Sequence, residues 1–230
     1  MLFSALVCFI GAVLSLTSAA KPWEEETRDQ AWFDRHNAFV LQTQTNASNI
    51  RVVFLGDSIT AGWLSGARSI WNQHYASRNA VNYGIGGDRT QHILWRIRNG
   101  ELTGLKPKLV VLKIGTNNIG ADTGDDIAKG IETIVRDIRT MLPQTRILLL
   151  GVLPRNNGRF NDKITRVNTV ISALDDSYWI KYLDMTWSFQ NSVDQVKPEL
   201  FTADLLHLAV PGYQMWYQTM EPLFYDMLQY

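Results

Sequence analysis

Short runs of apolar residues alternate with helical patterns along most of the chain. Four or five of these runs have the length and the continuous apolar character of buried strands, and they cover residues 51–55, 80–83, 109–114, 146–150 and 179–183. Continuous apolar runs are typical of strands that are covered on both faces, as in parallel sheets. The alternation of strands and helices therefore predicts an α/β domain with a parallel sheet between two layers of helices.

Between the runs, apolar residues recur at helical spacing. One stripe over residues 93–97 would end at Gly100, and a stripe of four isoleucines would begin after Thr123 and stop before Pro143. The last stripe predicts a helix from about Pro211, which Pro222 should kink or divide.

Composition places the chain among folded proteins and excludes several partners. Of 230 residues, 46% are hydrophobic and 19% are charged, which rules out a disordered chain. Lysine plus arginine and aspartate plus glutamate both number 22, so the net charge is zero. A neutral chain lacks the basic surplus that phosphate contacts require, which argues against nucleic-acid binding and against electrostatic attachment to an anionic membrane.

The first twenty residues have the pattern of a secretory signal peptide. They contain no charged side chain, and Ser18 and Ala20 give the small–x–small pattern of a cleavage site. The alternative is an uncleaved anchor helix, for which the apolar stretch is short. We therefore expect a leader over residues 1–20, a single domain over 21–230 and a secreted protein. Cys8 is the only cysteine, so the mature chain would contain no thiol nucleophile.

The sequence also contains one glycosylation motif of interest. Asn46-Ala47-Ser48 is an N-glycosylation sequon, expected in a surface loop before the first strand. Together with the leader, it makes Asn46 the candidate glycosylation site.

Polar motifs follow the predicted strands directly, at the edge where parallel sheets carry their active sites. Gly56-Asp57-Ser58 follows the first strand and would present the Ser58 hydroxyl at a strand-to-helix turn. An ordinary helix N-cap is the alternative interpretation of this motif. After the second strand, three glycines in four residues, among them Gly86, let the backbone approach a ligand closely, although a simple turn would show the same pattern.

Two further motifs carry side chains suited to catalysis. Asn117 follows the third strand and could donate its amide toward the same pocket, or it could serve only as a turn residue. Asp204 and His207 are three residues apart, which lets the carboxylate accept from one imidazole nitrogen while the other faces outward. A surface histidine with no catalytic role is the alternative.

The remaining candidates are interpreted as structural. His36, His74 and His92 have no comparable acidic partner in the sequence, and Asp57 is expected to accept a hydrogen bond in the turn. No two histidines have the spacing of zinc ligands, so neither a metal nor another cofactor is expected.

Taken together, the motifs resemble one known family. The order Ser, Gly, Asn and Asp-x-x-His, each after a strand, is that of the SGNH (GDSL-type) hydrolases. Within that family the chain is similar, from about Trp32 onward, to the catalytic subunits of intracellular platelet-activating-factor acetylhydrolase, through phrases such as VVFLGDSI, NYGIGGDRTQHILWRIRNGEL, PKLVVLKIGTNN, ILLLGVLPR and DLLHL. The resemblance implies a three-layer flavodoxin-like fold with a central parallel five-stranded sheet.

The resemblance also implies a role for each matching residue. Ser58 would be the nucleophile, His207 the general base and Asp204 the residue that orients the imidazole. The oxyanion hole would consist of the backbone N–H groups of Ser58 and Gly86 and the side-chain amide of Asn117.

A second set of positions would limit the size of the acyl group that the site accepts. Ile59, Thr116 and Leu206 match the positions that narrow the acyl pocket in the similar enzymes. Two branched side chains beside a short threonine leave room for an acetyl group and little more.

These inferences lead to one expected function and two alternatives. The expected function is that of a secreted serine esterase that hydrolyses short-chain (acetyl) esters, with platelet-activating factor or a related phospholipid as substrate. The alternatives are a carbohydrate O-acetylesterase and a binding module that has lost catalysis. The similar enzymes are cytosolic and associate with a regulatory WD-repeat subunit, so the leader argues against that partnership here. A catalytic homodimer is compatible with the sequence.

Overall fold

The computed structural model describes residues 19–191 and 194–229. The prediction of a signal peptide falls almost wholly on residues 1–18, which lie outside the described residues. Within these limits, five strands form one parallel sheet in the order β2-β1-β3-β4-β5. The strands are β1 (Val52–Gly56), β2 (Ala80–Gly84), β3 (Leu109–Lys113), β4 (Arg146–Leu150) and β5 (Ile180–Leu183).

Helices of very different length connect and cover the strands. They are α1 (Gln30–Asn46), α2 (Ser58–Ala61), α3 (Arg68–His74), α4 (Thr90–Arg96), α5 (Gly124–Met141), α6 (Asn161–Ser172), α7 (Thr186–Phe189) and α8 (Val210–Gln229). Among the described residues, no helix combines the length and apolar character needed to cross a membrane.

Side chains alternate along each strand between two separate apolar cores. On β1, Val53 and Leu55 belong to the core under α1, α4, α5 and α6, whereas Val52 and Phe54 belong to the core under α3 and α8. The same alternation holds on β3 and β4. Both faces of the sheet are therefore covered, which confirms the predicted three-layer α/β fold and explains the continuous apolar runs in the sequence.

The strand order creates a crevice at one edge of the sheet. β1 lies between β2 and β3. The chain adds β2 on one side of β1 and then crosses to the other side, where it adds β3, β4 and β5. In register, Gly56 is paired with Gly84 on β2 and with Lys113 on β3. Because ligands of open α/β sheets bind where the strand order reverses, the segments after β1, β2 and β3 define the position of a site.

Two sequence predictions about helix ends need correction. Of the two outcomes expected at Pro222, a kink or a division of the last helix, the division does not occur, because Pro222 lies inside α8. Proline removes one backbone donor there, but Met220, Phe224 and Met227 are buried on either side and hold the helix against the sheet. The second correction concerns Gly100, which does not end α4 directly: a short π-helical segment, Ile97–Glu101, follows that helix and contains Gly100 at φ 102°.

The predicted glycosylation site lies at a helix end rather than in a loop. Asn46 is the last residue of α1, where it is partly exposed and its Oδ1 accepts a hydrogen bond from Asn49 Nδ2 at 2.8 Å. Helices α1, α3 and α6 had no prediction from the sequence pattern.

Candidate active site

Ser58 begins the short helix α2 immediately after β1. The preceding residue, Asp57, is fully buried and its Oδ1 accepts a hydrogen bond from the backbone N–H of Ile59 at 2.9 Å. This confirms the interpretation of Asp57 as a turn acceptor. Ser58 itself is half-buried, so its hydroxyl is held at the sheet edge while it stays accessible.

The backbone of α2 lies directly against the end of β2. A Cβ atom placed on Gly84 would lie 2.3 Å from the backbone nitrogen of Ala61 and 2.9 Å from the carbonyl oxygen of Asp57. Only glycine permits this approach, because the contacts are with backbone atoms that cannot rotate away. Gly84, the last residue of β2, is therefore required by packing against the Ser58 segment.

His207 bridges Ser58 and Asp204. Its Nε2 lies 2.9 Å from Ser58 Oγ, and its Nδ1 lies 2.6 Å from Asp204 Oδ2. The turn that positions it is held by the second carboxylate oxygen, since Asp204 Oδ1 accepts from the backbone N–H groups of Leu206 at 3.0 Å and His207 at 2.9 Å. Leu205 supports the same turn in a left-handed conformation, at φ 52°.

The charge state of Asp204 follows from these contacts. Partial burial raises the pKa of its carboxyl group. The hydrogen bonds from His207, Thr202 and the two backbone N–H groups lower the pKa by more than burial raises it, so the pKa lies well below its usual range. The group is therefore an ionised acceptor at neutral pH. An ionised Asp204 favours the tautomer in which Nδ1 carries the proton, which leaves the Nε2 lone pair directed at the Ser58 hydroxyl.

Gly86 and Asn117 lie on neighbouring turns of the same sheet edge. A Cβ atom on Gly86 would lie 3.8 Å from Ser58 Cβ, so this glycine faces the serine without a side chain between them. Asn117 Nδ2 donates to the backbone oxygen of Asp88 at 2.8 Å. Since an amide carries two hydrogens, this bond fixes the orientation of Asn117 and leaves one hydrogen available.

The three residues predicted to limit the acyl group differ in exposure. Ile59 and Thr116 are buried, and Leu206 is half-buried. The carbonyl oxygen of Ile59 accepts from the Tyr213 hydroxyl at 2.8 Å, which fixes the residue next to Ser58. The side-chain oxygen of Thr116 lies 3.3 Å from Arg155 Nη1, so its hydroxyl group is already engaged as an acceptor.

A buried network of charges supports the turn that carries Gly86. Asp88 is fully buried and accepts hydrogen bonds from Trp32 Nε1 at 2.8 Å and from Arg96 Nη1 at 2.6 Å. Arg28 Nη1 reaches both Asp88 Oδ1, at 3.1 Å, and the Gly86 carbonyl, at 2.6 Å. Asp88 therefore holds two turns: its carboxylate holds the Gly86 turn through Arg28, and its backbone oxygen holds the Asn117 turn.

Arg96 lies at the centre of that network. Its guanidinium is fully buried and also donates to both carboxylate oxygens of Glu101, at 2.8 and 2.7 Å. Burial by itself lowers the pKa of Arg96, but Glu101 and Asp88 more than offset this, so the pKa lies above its ordinary value. The side chain is therefore a charged clamp between Asp88 and Glu101.

The other three histidines have structural contacts, as the sequence interpretation held. His36 Nδ1 lies 3.3 Å from Glu101 Oε2, and His74 stacks on Tyr217 with ring centroids 3.7 Å apart. Burial and the nearby guanidinium groups lower the pKa of His92 to about 3, and its Nδ1 accepts from the Arg89 backbone N–H at 2.9 Å. His92 is therefore neutral. Within the described ranges, no group of three or more histidine, cysteine, aspartate or glutamate side chains is arranged to hold a metal ion.

Sequence reasoning did not single out the charged residues that surround the site. Arg96 and Glu101 follow the glycine-rich turn and are fully buried, and Lys113, at the end of β3, is almost completely buried. Burial lowers the pKa of Lys113, an effect that the Asp57 carboxylate opposes. The available signal was the position of Arg96 and Lys113 among apolar residues, where burying a charged side chain costs free energy unless a partner compensates it.

Comparison with known families assigns the chain to a class of hydrolases. The model of the GDSL-like Lipase/Acylhydrolase family matches residues 54–215, which contain Ser58, Gly86, Asn117, Asp204 and His207. The chain belongs to this family, and the resemblance noted from its motifs is confirmed.

The chain is also similar to subunits of an acetylhydrolase. The chain is 35% identical over 210 residues to the alpha2 subunit of platelet-activating factor acetylhydrolase IB from Rattus norvegicus, with 90% of this chain and 89% of that subunit covered. A Streptococcus pneumonia structure described as a platelet activating factor is 25% identical, with a TM-score of 0.73 over 83% of this chain and 91% of that one. A GDSL-like lipase structure from Bacteroides thetaiotaomicron shares the fold, with a TM-score of 0.66 and 20% identity over 83% of this chain and 98% of that one.

The support of the Gly86 turn can be tested by removing its buried cation. Arg96→Met should lower the free energy of unfolding by about 3–5 kcal/mol, because the buried carboxylates of Asp88 and Glu101 would both lose the guanidinium that they share. Arg98→Met is the matched control, since Arg98 pairs with Asp137 and Glu25 at the surface and its loss should cost about 1 kcal/mol or less. Urea denaturation measures both values, and equal losses in the two variants would contradict the account of the network.

Proposed function

We propose that the protein is a serine esterase that releases a short acyl group through a covalent acyl-enzyme. The observation that carries the proposal is the continuous path of contacts from Asp204 Oδ2 to His207 Nδ1, at 2.6 Å, and from His207 Nε2 to Ser58 Oγ, at 2.9 Å. A hydroxyl, an imidazole and an ionised carboxylate in this order form the arrangement that activates a serine nucleophile.

Each group has a defined task in the proposed reaction. His207 takes the Ser58 proton as the hydroxyl oxygen attacks the ester carbonyl, and the resulting imidazolium is stabilised by Asp204. The same proton then passes from Nε2 to the oxygen of the leaving alcohol as the acyl-enzyme forms. A water molecule, deprotonated by His207, repeats the attack and releases the carboxylic acid, which restores Ser58.

The negative oxygen of each tetrahedral intermediate would be bound by three donors. The backbone N–H groups of Ser58 and Gly86 and the free hydrogen of the Asn117 amide are the proposed set. Donors of this kind are effective when they are fixed before the reaction. The Asn117–Asp88 bond and the Arg28–Gly86 bond supply that rigidity.

Removal of the nucleophile tests the catalytic assignment. Ser58→Ala should lower kcat for a chromogenic acetyl ester by at least about 10⁴-fold, because no other group can form the acyl-enzyme. Ser65→Ala, which alters an exposed serine after α2, is the control and should leave the rate unchanged. Rates for Ser58→Ala that equal those of the wild type would defeat the assignment.

The proposed substrate is an acetyl ester of the platelet-activating-factor type or a related phospholipid. This proposal is supported by the relatives that hydrolyse platelet-activating factor, as their name states, and by the buried Ile59 and Thr116 next to Ser58 and Asn117. A carbohydrate ester is the alternative substrate. Trp71 and Trp216 are buried and cannot stack on a sugar.

Acyl-chain selectivity follows from the pocket residues. Wild-type protein should hydrolyse an acetyl ester with a kcat/KM about 10- to 100-fold above that for the matching octanoyl ester, because a longer chain would have to displace packed side chains. Leu206→Ala should lower this acetyl-to-octanoyl ratio of kcat/KM, because the smaller side chain leaves room for longer acyl chains. Comparable hydrolysis of acetyl and octanoyl esters by the wild type would remove the proposed acyl limit.

Export from the cell is the part of the proposal that rests on sequence alone. Its support is the uncharged leader-like segment 1–20 and the sequon at the partly exposed Asn46. Expression in a eukaryotic secretory host should yield protein in the medium that begins near Lys21 by amino-terminal sequencing. Protein that stays in the cell with an intact leader would contradict export.

A further inference from the structure

Arg155 lies in the wall between the two turns that carry the proposed catalytic groups. Its Nη1 lies 3.0 Å from the carbonyl oxygen of Thr116 and 3.3 Å from the Thr116 hydroxyl oxygen, directly before Asn117. The next residue, Asn156, donates its backbone N–H to the Leu205 carbonyl at 3.0 Å, inside the Asp204–His207 turn. The guanidinium is therefore held at the active-site edge of the sheet.

The guanidinium is held without a carboxylate partner. Across residues 19–191 and 194–229, no carboxylate lies within ion-pair distance of Arg155, although Asp204 and Asp57 act on its charge from farther away. Its Nε donates to Asn156 Oδ1 at 3.1 Å, so Nε and Nη1 are both engaged. Among the described residues, no group accepts a hydrogen bond from Nη2. Nη2 is also not one of the buried side-chain atoms without a hydrogen-bond partner, so it is accessible to solvent.

A half-buried cation that is fixed on one side and open on the other is suited to bind an anion. Partial burial weakens its hydration, and burial lowers the pKa of Arg155 while the two aspartates oppose that effect. An arriving anion would replace the missing water contacts and gain charge-assisted hydrogen bonds from the Nη2 hydrogens. Because the contacts to Thr116 and Asn156 already fix the side chain, little rotamer entropy is lost on binding.

We propose that Arg155 is a specificity residue that binds an anionic group, of the phosphate class, on the alcohol side of the ester. The anion is assigned to the alcohol part of the ester because the short acyl group of the proposed substrates carries no charge. This inference rests on the proposed esterase function and narrows its substrates to esters of phosphate-bearing alcohols.

Two matched acetyl esters distinguish this role from a purely structural one. One is 1-alkyl-2-acetylglycerophosphocholine and the other is 1-alkyl-2-acetylglycerol, which lacks the phosphate, both in the same neutral detergent micelles. For Arg155→Gln, the ratio of kcat/KM for the phosphate ester to that for the neutral ester should fall about 10- to 100-fold, mainly through KM. Arg155→Lys keeps the charge and should show a smaller fall.

A control and a second readout complete the experiment. Arg159→Gln removes a nearby exposed cation and should leave the ratio unchanged, which would show that general surface charge does not cause the effect. Inorganic phosphate should inhibit hydrolysis of the neutral ester competitively in the wild type, and this inhibition should weaken in Arg155→Gln.

Each contrary result has a distinct meaning. Equal losses on both esters, with unchanged phosphate inhibition, would overturn the proposal and assign Arg155 a structural role at Thr116. If Arg155→Gln does not fold, as judged by circular dichroism, the Arg155→Lys ratio decides, and an unchanged ratio overturns the proposal. Failure of the esterase assignment would appear separately, as undiminished activity of Ser58→Ala on both esters.

Discussion

The contact between Ser58 Oγ and His207 Nε2 joins residues that are 149 positions apart, and the site depends on it. A hydrogen bond of 2.9 Å cannot hold two segments together by itself, because its net contribution is about 1 kcal/mol. The position of Ser58 is set by the end of β1 and by the close approach of α2 to Gly84. The position of His207 is set by the Asp204 turn, and the helix α8 that follows it packs into one of the two cores. The apolar cores therefore supply the free energy that keeps a weak polar contact at its working distance.

The second requirement is a rigid set of donors, and here the protein uses buried charge. Asp88, Arg96 and Glu101 are all fully buried, an arrangement that contributes little to stability compared with apolar packing. Its value is geometric, because Asp88 holds the turn of Gly86 through Arg28 and orients Asn117 through its own carbonyl oxygen. Groups that are already oriented need no rearrangement when charge develops on a substrate oxygen. The network thus connects the buried interior to the oxyanion donors that we propose.

Most of the sheet could be predicted from the sequence because its strands are continuous apolar runs, and β4 was predicted at both ends. The Asp204–His207 pair was also accessible, since its spacing is local. Arg155 was not, because its contacts with Thr116 are 39 residues away and nothing in the adjacent sequence indicates them. The sequence also left open whether Pro222 kinks or divides the last helix, and α8 is not divided there because tertiary burial outweighs the local preference of proline.

The most direct test of the account is the labelling of the activated serine with a fluorophosphonate. Only a hydroxyl that is deprotonated by a neighbouring base reacts rapidly with this reagent, so the reaction reports the Ser58–His207 relation itself. Mass spectrometry of the digested protein should find one phosphonyl group per chain, on Ser58, with activity lost in proportion to labelling. A label on any other residue, or full activity of protein labelled at Ser58, would contradict the account.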